Sequence, residues 1–221
     1  MSTYDYTFTV NENPLSDGGK WVNNVSGTWT HPVTVASNRA GGPGSSSTND
    51  AIAMLTDTAG GGSSWGPDQT ITITNRLTGT DIDAENEAHL RMTQSGGNNV
   101  TTIEADLVFS SHTTIIASWN GAQGSFTVFG DYGNTDPQSD GDVWEYAVTG
   151  SDPTIAVAAK KNTVSVGSIG SITGAALNSG NPGIGFDANS TDGTVWTIDH
   201  YVVTDGVAIP IPSLIDPAIL I

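Results

Sequence analysis

Residues 181–205 read NPGIGFDANSTDGTVWTIDHYVVTD, two strand-forming runs around a polar loop, and this pattern decides the fold class. Pro182-Gly183 makes a turn, and Ile184-Gly185-Phe186 opens a short strand. Residues 187–193 are rich in Asp, Asn, Ser and Gly, which tolerate turns and left-handed backbone. Thr194–Thr204 is then an unbroken β-branched and aromatic run, the composition of a pleated strand.

Upstream the same grammar repeats. Tyr4, Tyr6, Phe8 and Val10 alternate with polar residues, as do Ile71 and Ile73 with Thr70, Thr72 and Thr74. This is the period-two signature of half-buried strands. Strands are expected at Tyr4–Val10, Thr28–Val35 (edged or broken by Pro32), Ala51–Thr56, Gln69–Asn75, Asp142–Val148, Thr154–Ala159 and Asn162–Gly167. Hairpins are expected for Ala84–Thr93 with Val100–Ser110, turning at Ser95–Asn99, and for Thr113–Trp119 with Ser125–Phe129, turning at Asn120-Gly121. Ala175–Leu177 suits a short helical turn. Many short strands with turn signals every 8–12 residues predict an all-β, single-domain antiparallel sandwich or jelly roll. Gly/Ser runs such as residues 40–49 and 59–64 read as surface loops, so one domain is expected over residues 1–206.

Residues 207–221, VAIPIPSLIDPAILI, differ in character. Pro210, Pro212 and Pro217 forbid a continuous helix or central strand. Ile209, Ile211, Leu214, Ile215, Ile219, Leu220 and Ile221 make an extended apolar tail. It either docks on another subunit or straps back onto its own domain.

Six Lys and Arg stand against 23 Asp and Glu, a net charge of −17. That argues against nucleic acid, which needs clustered basic side chains, and against anionic membrane surfaces. Without Cys there is no disulfide or thiolate chemistry. The chain enters a polar strand, TYDYTFTV, directly after Met1-Ser2, without the basic and apolar run of a secretory signal. No apolar stretch reaches the length of a membrane span.

Catalytic patterns are sparse. On a strand, Glu85, Glu87, His89 and Arg91 would share one face while Ala88, Leu90 and Met92 face the core. Paired carboxylates across one cleft are what glycoside hydrolysis needs, but a solvated strand face is the plainer reading. The four His are dispersed, and no G-x-S-x-G elbow occurs. Loop carboxylates at Asp131, Asp136, Asp140 and Asp142, with Asp187 and Asp199, could hold a structural Ca2+, set against turn-forming Asp that caps its own backbone. Trp65, Tyr132 and Trp144 lie in or beside loops and are the candidates for stacking on a sugar.

Three pieces resemble the concanavalin A-like lectin/glucanase superfamily, in its laminin G-like branch. They are the opening Phe8–Trp29 with Trp21, Ser26-Gly27 and Trp29, the middle hairpin around Asn120-Gly121, and the closing pair Gly183-Ile184-Gly185-Phe186 with Ile198–Val203. The resemblance implies two packed, curved antiparallel sheets with the first and last strands adjacent. It implies little chemistry, because the fold hosts lectins, hydrolases, lyases and virion parts. The chain departs from the family's glucanases, whose E-x-D-x-E or E-x-D-x-x-E strand carries a central Asp, where Glu85-Asn86-Glu87 has none.

The expectation is a non-catalytic protein that works by surface contacts. The leading reading is a structural or decorating component of a phage-like virion, a homo-oligomer joined through its tail. A carbohydrate-binding, extracellular module is the alternative, and a polysaccharide hydrolase or lyase the third.

Overall fold

The computed structural model describes residues 1–23, 30–42, 50–77, 84–95, 99–108, 113–122, 125–133, 138–188 and 196–206. The expected tail interface, residues 207–221, lies outside them. In chain order the strands are β1 (Thr3–Thr7), β2 (Trp21–Asn23), β3 (Thr30–His31), β4 (Thr34–Ala36) and β5 (Arg39–Gly41). Next come β6 (Asp50–Leu55), β7 (Gln69–Leu77), β8 (Ala84–Gln94), β9 (Asn99–Val108), β10 (Thr113–Ala122) and β11 (Phe126–Gly133). The last are β12 (Val143–Thr149), β13 (Ile155–Lys161), β14 (Val164–Ile172), β15 (Asn181–Ala188) and β16 (Trp196–Asp205). A 3-10 turn at Ala175–Leu177 falls where the sequence places one. Among the described residues, no helix is long and apolar enough to cross a membrane.

Two sheets form the sandwich. The first runs β14-β13-β12-β7-β16-β5-β4, with β1 also on β16. The second runs β11-β10-β9-β8-β15-β6-β2, with the short β3 parallel to β6. The first and last strands are neighbours, as the jelly-roll resemblance implies: Thr3 faces Thr204 and Thr7 faces His200.

Alternation builds the core. From the first sheet, Ile71, Ile73, Trp144, Tyr146, Val148, Val157, Tyr201 and Val203 point inward. From the second, Ala53, Leu55, Leu90, Ile103, Leu107, Ile184 and Phe186 meet them. Burying each such side chain contributes about 1.5–3 kcal/mol. The buried stretch of the second sheet is not one-sided. Ile52, Thr102 and Ala117, on its outer face, are also closed off from solvent.

Two expectations need correction. Asn120-Gly121 is not the turn: β10 continues through both, pairing Asn120 with Thr101 and Gly121 with Val100. The ladder offered by β9 extends the strand past a dipeptide that would turn in isolation. In β8, the register shifts between Leu90 and Thr93, and Arg91 takes φ 56°. This bulge reverses the alternation beyond it. Met92 therefore joins Ile52 and Val100 in a second small apolar cluster, and Arg91 leaves the Glu85–Glu87–His89 face.

Candidate functional site

Strand alternation puts Glu85, Glu87 and His89 on the outer face of β8. The β8–β9 register sets His89 opposite Glu104 and Glu87 opposite Asp106. On the other side, β15 brings Gly185 opposite Glu87, Gly183 opposite His89 and Asp187 opposite Glu85. β10 sets Ala117 beside Glu104 and Trp119 beside Thr102. Four carboxyl groups and one imidazole thus gather on two adjacent strands, with Asp187 on a third.

The cluster is buried. Glu87 is 2% exposed, His89 0% and Glu104 6%. His89 Nε2 lies 2.9 Å from Glu87 Oε2, and Trp119 donates its indole N–H to Glu104 at 2.5 Å. Gly185 makes this approach feasible: a Cβ there would stand 2.0 Å from Glu87 Oε2 and 2.5 Å from His89 Nε2. His89 Nδ1 and Asp106 Oδ1 are enclosed without a hydrogen-bond partner, a costly state for polar atoms.

Burial, then mutual repulsion, sets the protonation. Burial and the Asp187 charge push Glu85 up to about 7. Burial pushes Glu104 up to about 8, against the Trp119 hydrogen bond. Glu87 and Asp106 are held well above the usual carboxylate range by burial and by the neighbouring acids. Burial lowers His89 to about 3, so its imidazole is neutral at pH 7. Such a group can share protons, act as acid and base, or hold a cation. Two sets place their ligand atoms within 4.8 Å of one another and could hold a metal ion: Glu87–His89–Glu104 and Glu85–Glu87–Asp106.

Beyond the bulge, a groove of about 460 Å³ opens along the same strands. Its walls include Met54, Met92, Trp65, Asp57, Gln94 and Asn181. Gln94 Nε2 faces no partner. Asn181 donates to Leu55 O at 2.8 Å and to Asp57 Oδ1 at 3.2 Å. Groove and cluster adjoin, since a Cβ on Gly183 would touch both Met92 Sδ and His89 Cβ.

The residues expected to stack on sugars do not offer open rings. Trp144 is 0% exposed, stacked on Tyr146 at 5.9 Å, with its N–H on Gln138. Trp65 is 4% exposed, bonds Thr56 O, and lends the groove little more than an edge. Tyr132 is half-buried because its ring lies over Gly167 of β14, where a Cβ would come within 2.5 Å. Large aromatics beside loops here close the ends of the sandwich, where their apolar area is worth most.

The expected Ca2+ carboxylates do not converge. Arg76 takes Asp199 at 2.7 Å and Asp140 at 3.2 Å. Lys161 takes Asp142 at 3.1 Å. Asp131 is exposed on β11, and Asp136 lies outside the described residues. Among the described ones, only Asp187 reaches an acidic cluster, while Arg76 and Lys161 already neutralise Asp140, Asp199 and Asp142. Sequence reading missed Glu104, Asp106, Trp119 and Gln94; Glu104-Ala-Asp106 opposite Glu87-Ala-His89 was the available signal, readable once the hairpin register is known.

No protein-family model matches the sequence, and a search of curated proteins finds no match. Solved structures do match. The VIP36 exoplasmic/lumenal domain in its Ca2+/Man3GlcNAc-bound form superposes with TM-score 0.56 at 12% identity, covering 88% of this chain and 87% of that one. An endo-1,3-β-glucanase from Streptomyces sioyaensis gives 0.53 at 11%, covering 93% and 97%. The CBM2 module of the evolved Dit of Lactobacillus casei BL23 phage J-1 gives 0.50 at 9%, covering 94% and 99%. At these identities the likeness is one of fold: the chain is a concanavalin A-like jelly roll.

Proposed function

We propose that this protein is a non-catalytic carbohydrate-binding β-sandwich whose ligand lies in the groove across β6, β8 and β15. The observation that carries the reading is the enclosed, unpartnered amide donor of Gln94 in the wall of that groove. A sugar hydroxyl is a matching acceptor. Asp57, Ser64 and Asn181 add polar groups along the same walls, and Met54 and Met92 supply an apolar floor. VIP36, of the same fold, is described in a Man3GlcNAc-bound form, which supports the substrate class.

A glycan array followed by calorimetry tests it. Gln94→Leu should weaken the captured glycan roughly tenfold, the cost of one lost hydrogen bond, with an unchanged melting temperature. Absence of glycan binding by the wild type at millimolar ligand overturns the proposal. Release of new reducing ends from the bound glycan would overturn its non-catalytic part.

A second reading, a decorating protein of a phage-like virion, rests on the seven apolar residues of 207–221. The likeness to a phage J-1 Dit module supports the same setting. Deleting residues 207–221 should then abolish self-association. An unchanged mass by light scattering counts against that role.

A further inference from the structure

We propose that Ile209-Pro210-Ile211-Pro212 docks in the groove of its own domain, against Trp65, Met54, Met92 and Gln94, and so competes with whatever else binds there. The docking stands by itself; its consequence, regulation of glycan binding, rests on the groove reading above.

The first argument is where the chain leaves the fold. Asp205, the last residue of β16, pairs with Gln69. Its carboxylate accepts the Gly66 N–H at 2.9 Å, and Gly206 donates its N–H to Asp68 O at 2.9 Å. Gly66 follows Trp65, and Ser64 and Trp65 are groove walls. Gln69 in turn donates from Nε2 to Gly180 O at 2.6 Å, and Gly180 lines the same groove. Two bonded links thus join the exit point to the groove. Gly206 has φ 77°, with open space where a Cβ would stand, and this left-handed backbone lets the chain turn out of the ladder. Residues 209–212 lie three to six positions further on, a reach of about 9–19 Å in polyproline II geometry.

The second argument is complementary chemistry. Pro210 and Pro212 favour extended backbone at Ile209 and Ile211 and remove two N–H donors. The segment therefore offers apolar side chains and carbonyl acceptors. The groove offers the converse. Gln94 Nε2 is an enclosed donor without a partner, suited to a backbone carbonyl. Met54 and Met92 supply thioethers that adapt to branched side chains, and Val22, 44% exposed, continues this surface beside Met54. Extended Pro-containing segments dock in aromatic-walled grooves by this division of labour.

The third argument selects the chain's own segment. Residues 207–215 carry no charge, so the −17 of the whole protein does not repel them from a wall containing Asp57. A second acidic copy has to approach against that repulsion. A link this short also holds the segment at an effective concentration of the order of millimolar.

The protein has no Cys, so engineered pairs report alone. Thr93 is exposed and lines the groove. Thr93→Cys combined with Ile209→Cys or Ile211→Cys, oxidised at micromolar protein, should give a disulfide within one chain, seen as a faster monomer band on a non-reducing gel. The same tail cysteines with Thr127→Cys, on the edge strand β11, should not. Disulfide-linked dimers, equal cross-linking to both positions, or no cross-link to Thr93→Cys overturns the docking. Calorimetry with the glycan captured on an array then tests the consequence. Deleting residues 207–221 should raise glycan affinity about tenfold, the effect expected when a competing segment held at millimolar effective concentration is removed. Ile211→Asp, which keeps the chain length, should act in the same direction. Equal affinity in all three chains overturns the competition. If none binds a glycan, the groove reading falls, and the cross-links still decide the docking.

Discussion

Replacing Arg91 with Met tests whether the bulge in β8 ties the loops at one end of the sandwich together. The Arg91 side chain is fully buried and serves three carbonyl oxygens: Pro67 through Nε at 2.5 Å, Leu177 through Nη1 at 3.0 Å and Gly150 through Nη2 at 2.7 Å. These belong to three connections, after Trp65, at the 3-10 turn and after β12. Loss of the donors leaves the carbonyls unpaired, at about 1–3 kcal/mol for each buried acceptor. Met recovers part of that, because a buried guanidinium carries a desolvation penalty that Met does not, and burial is what pulls the Arg91 pKa down. The net loss should be about 3 kcal/mol, at the low end for breaking a buried charged network. Domains are stable by about 5–15 kcal/mol, so urea unfolding will register it as a lower midpoint at constant slope. Arg91→Lys keeps the charge but lacks the planar fork, and should lose about 2 kcal/mol by the same count of orphaned carbonyls. If both variants unfold within about 1 kcal/mol of wild type, the bracket does not hold the loops and the reasoning fails.

Other outcomes follow from the same geometry. Gly185→Ala should cost about 1–3 kcal/mol, as overpacking does, because its Cβ would meet Glu87 Oε2; a wild-type melting curve would contradict the cradle. Trp144→Ala should cost about 3–5 kcal/mol and leave glycan affinity per folded molecule unchanged, which calorimetry after denaturant titration can separate. In chelator, stability should fall as pH rises from 6.5 to 8. Glu85 and Glu104, at about 7 and about 8 when folded, contribute fully below their unfolded values and lose that contribution as pH rises through the folded ones. His89, lowered to about 3, has the opposite sign, but its contribution is complete above its unfolded value of about 6.5. The slope should be about 1 kcal/mol per pH unit, and a flat or rising urea midpoint across this window would refute it.

The architecture was legible because it rests on period two. Thr70–Thr74 and Trp196–Asp205 display their buried faces in the sequence itself, and the closing pair is where the motif placed it. The Asn120-Gly121 turn was not legible, because a local preference yielded to the ladder with β9. The fate of Arg91 was hidden for a different reason: a bulge built on a non-glycine residue at φ 56° leaves no compositional trace. Of the cluster, Glu85, Glu87 and His89 were readable as one face. Glu104 and Asp106 required the cross-strand register, which depends on where the β8–β9 hairpin bends. The buried Trp65 and Trp144 were misread because an aromatic next to a polar loop looks the same whether it caps a core or faces solvent.

The pairing of β1 with β16 has a mechanical consequence. Thr3 and Thr204 sit side by side at one end of an antiparallel ladder, and Ser2 N–H and the Met1 amino group both reach Asp205. Residues 1–3 and 204–206 therefore lie at one corner of the sandwich. Tension applied through Met1 and Gly206 pulls across this ladder, opening its hydrogen bonds one after another like a zipper instead of loading them together in shear. Force passed from a tether on one end to a tether on the other would peel β1 away first, while the sheet carrying Glu87, His89 and Glu104 stays out of the load path.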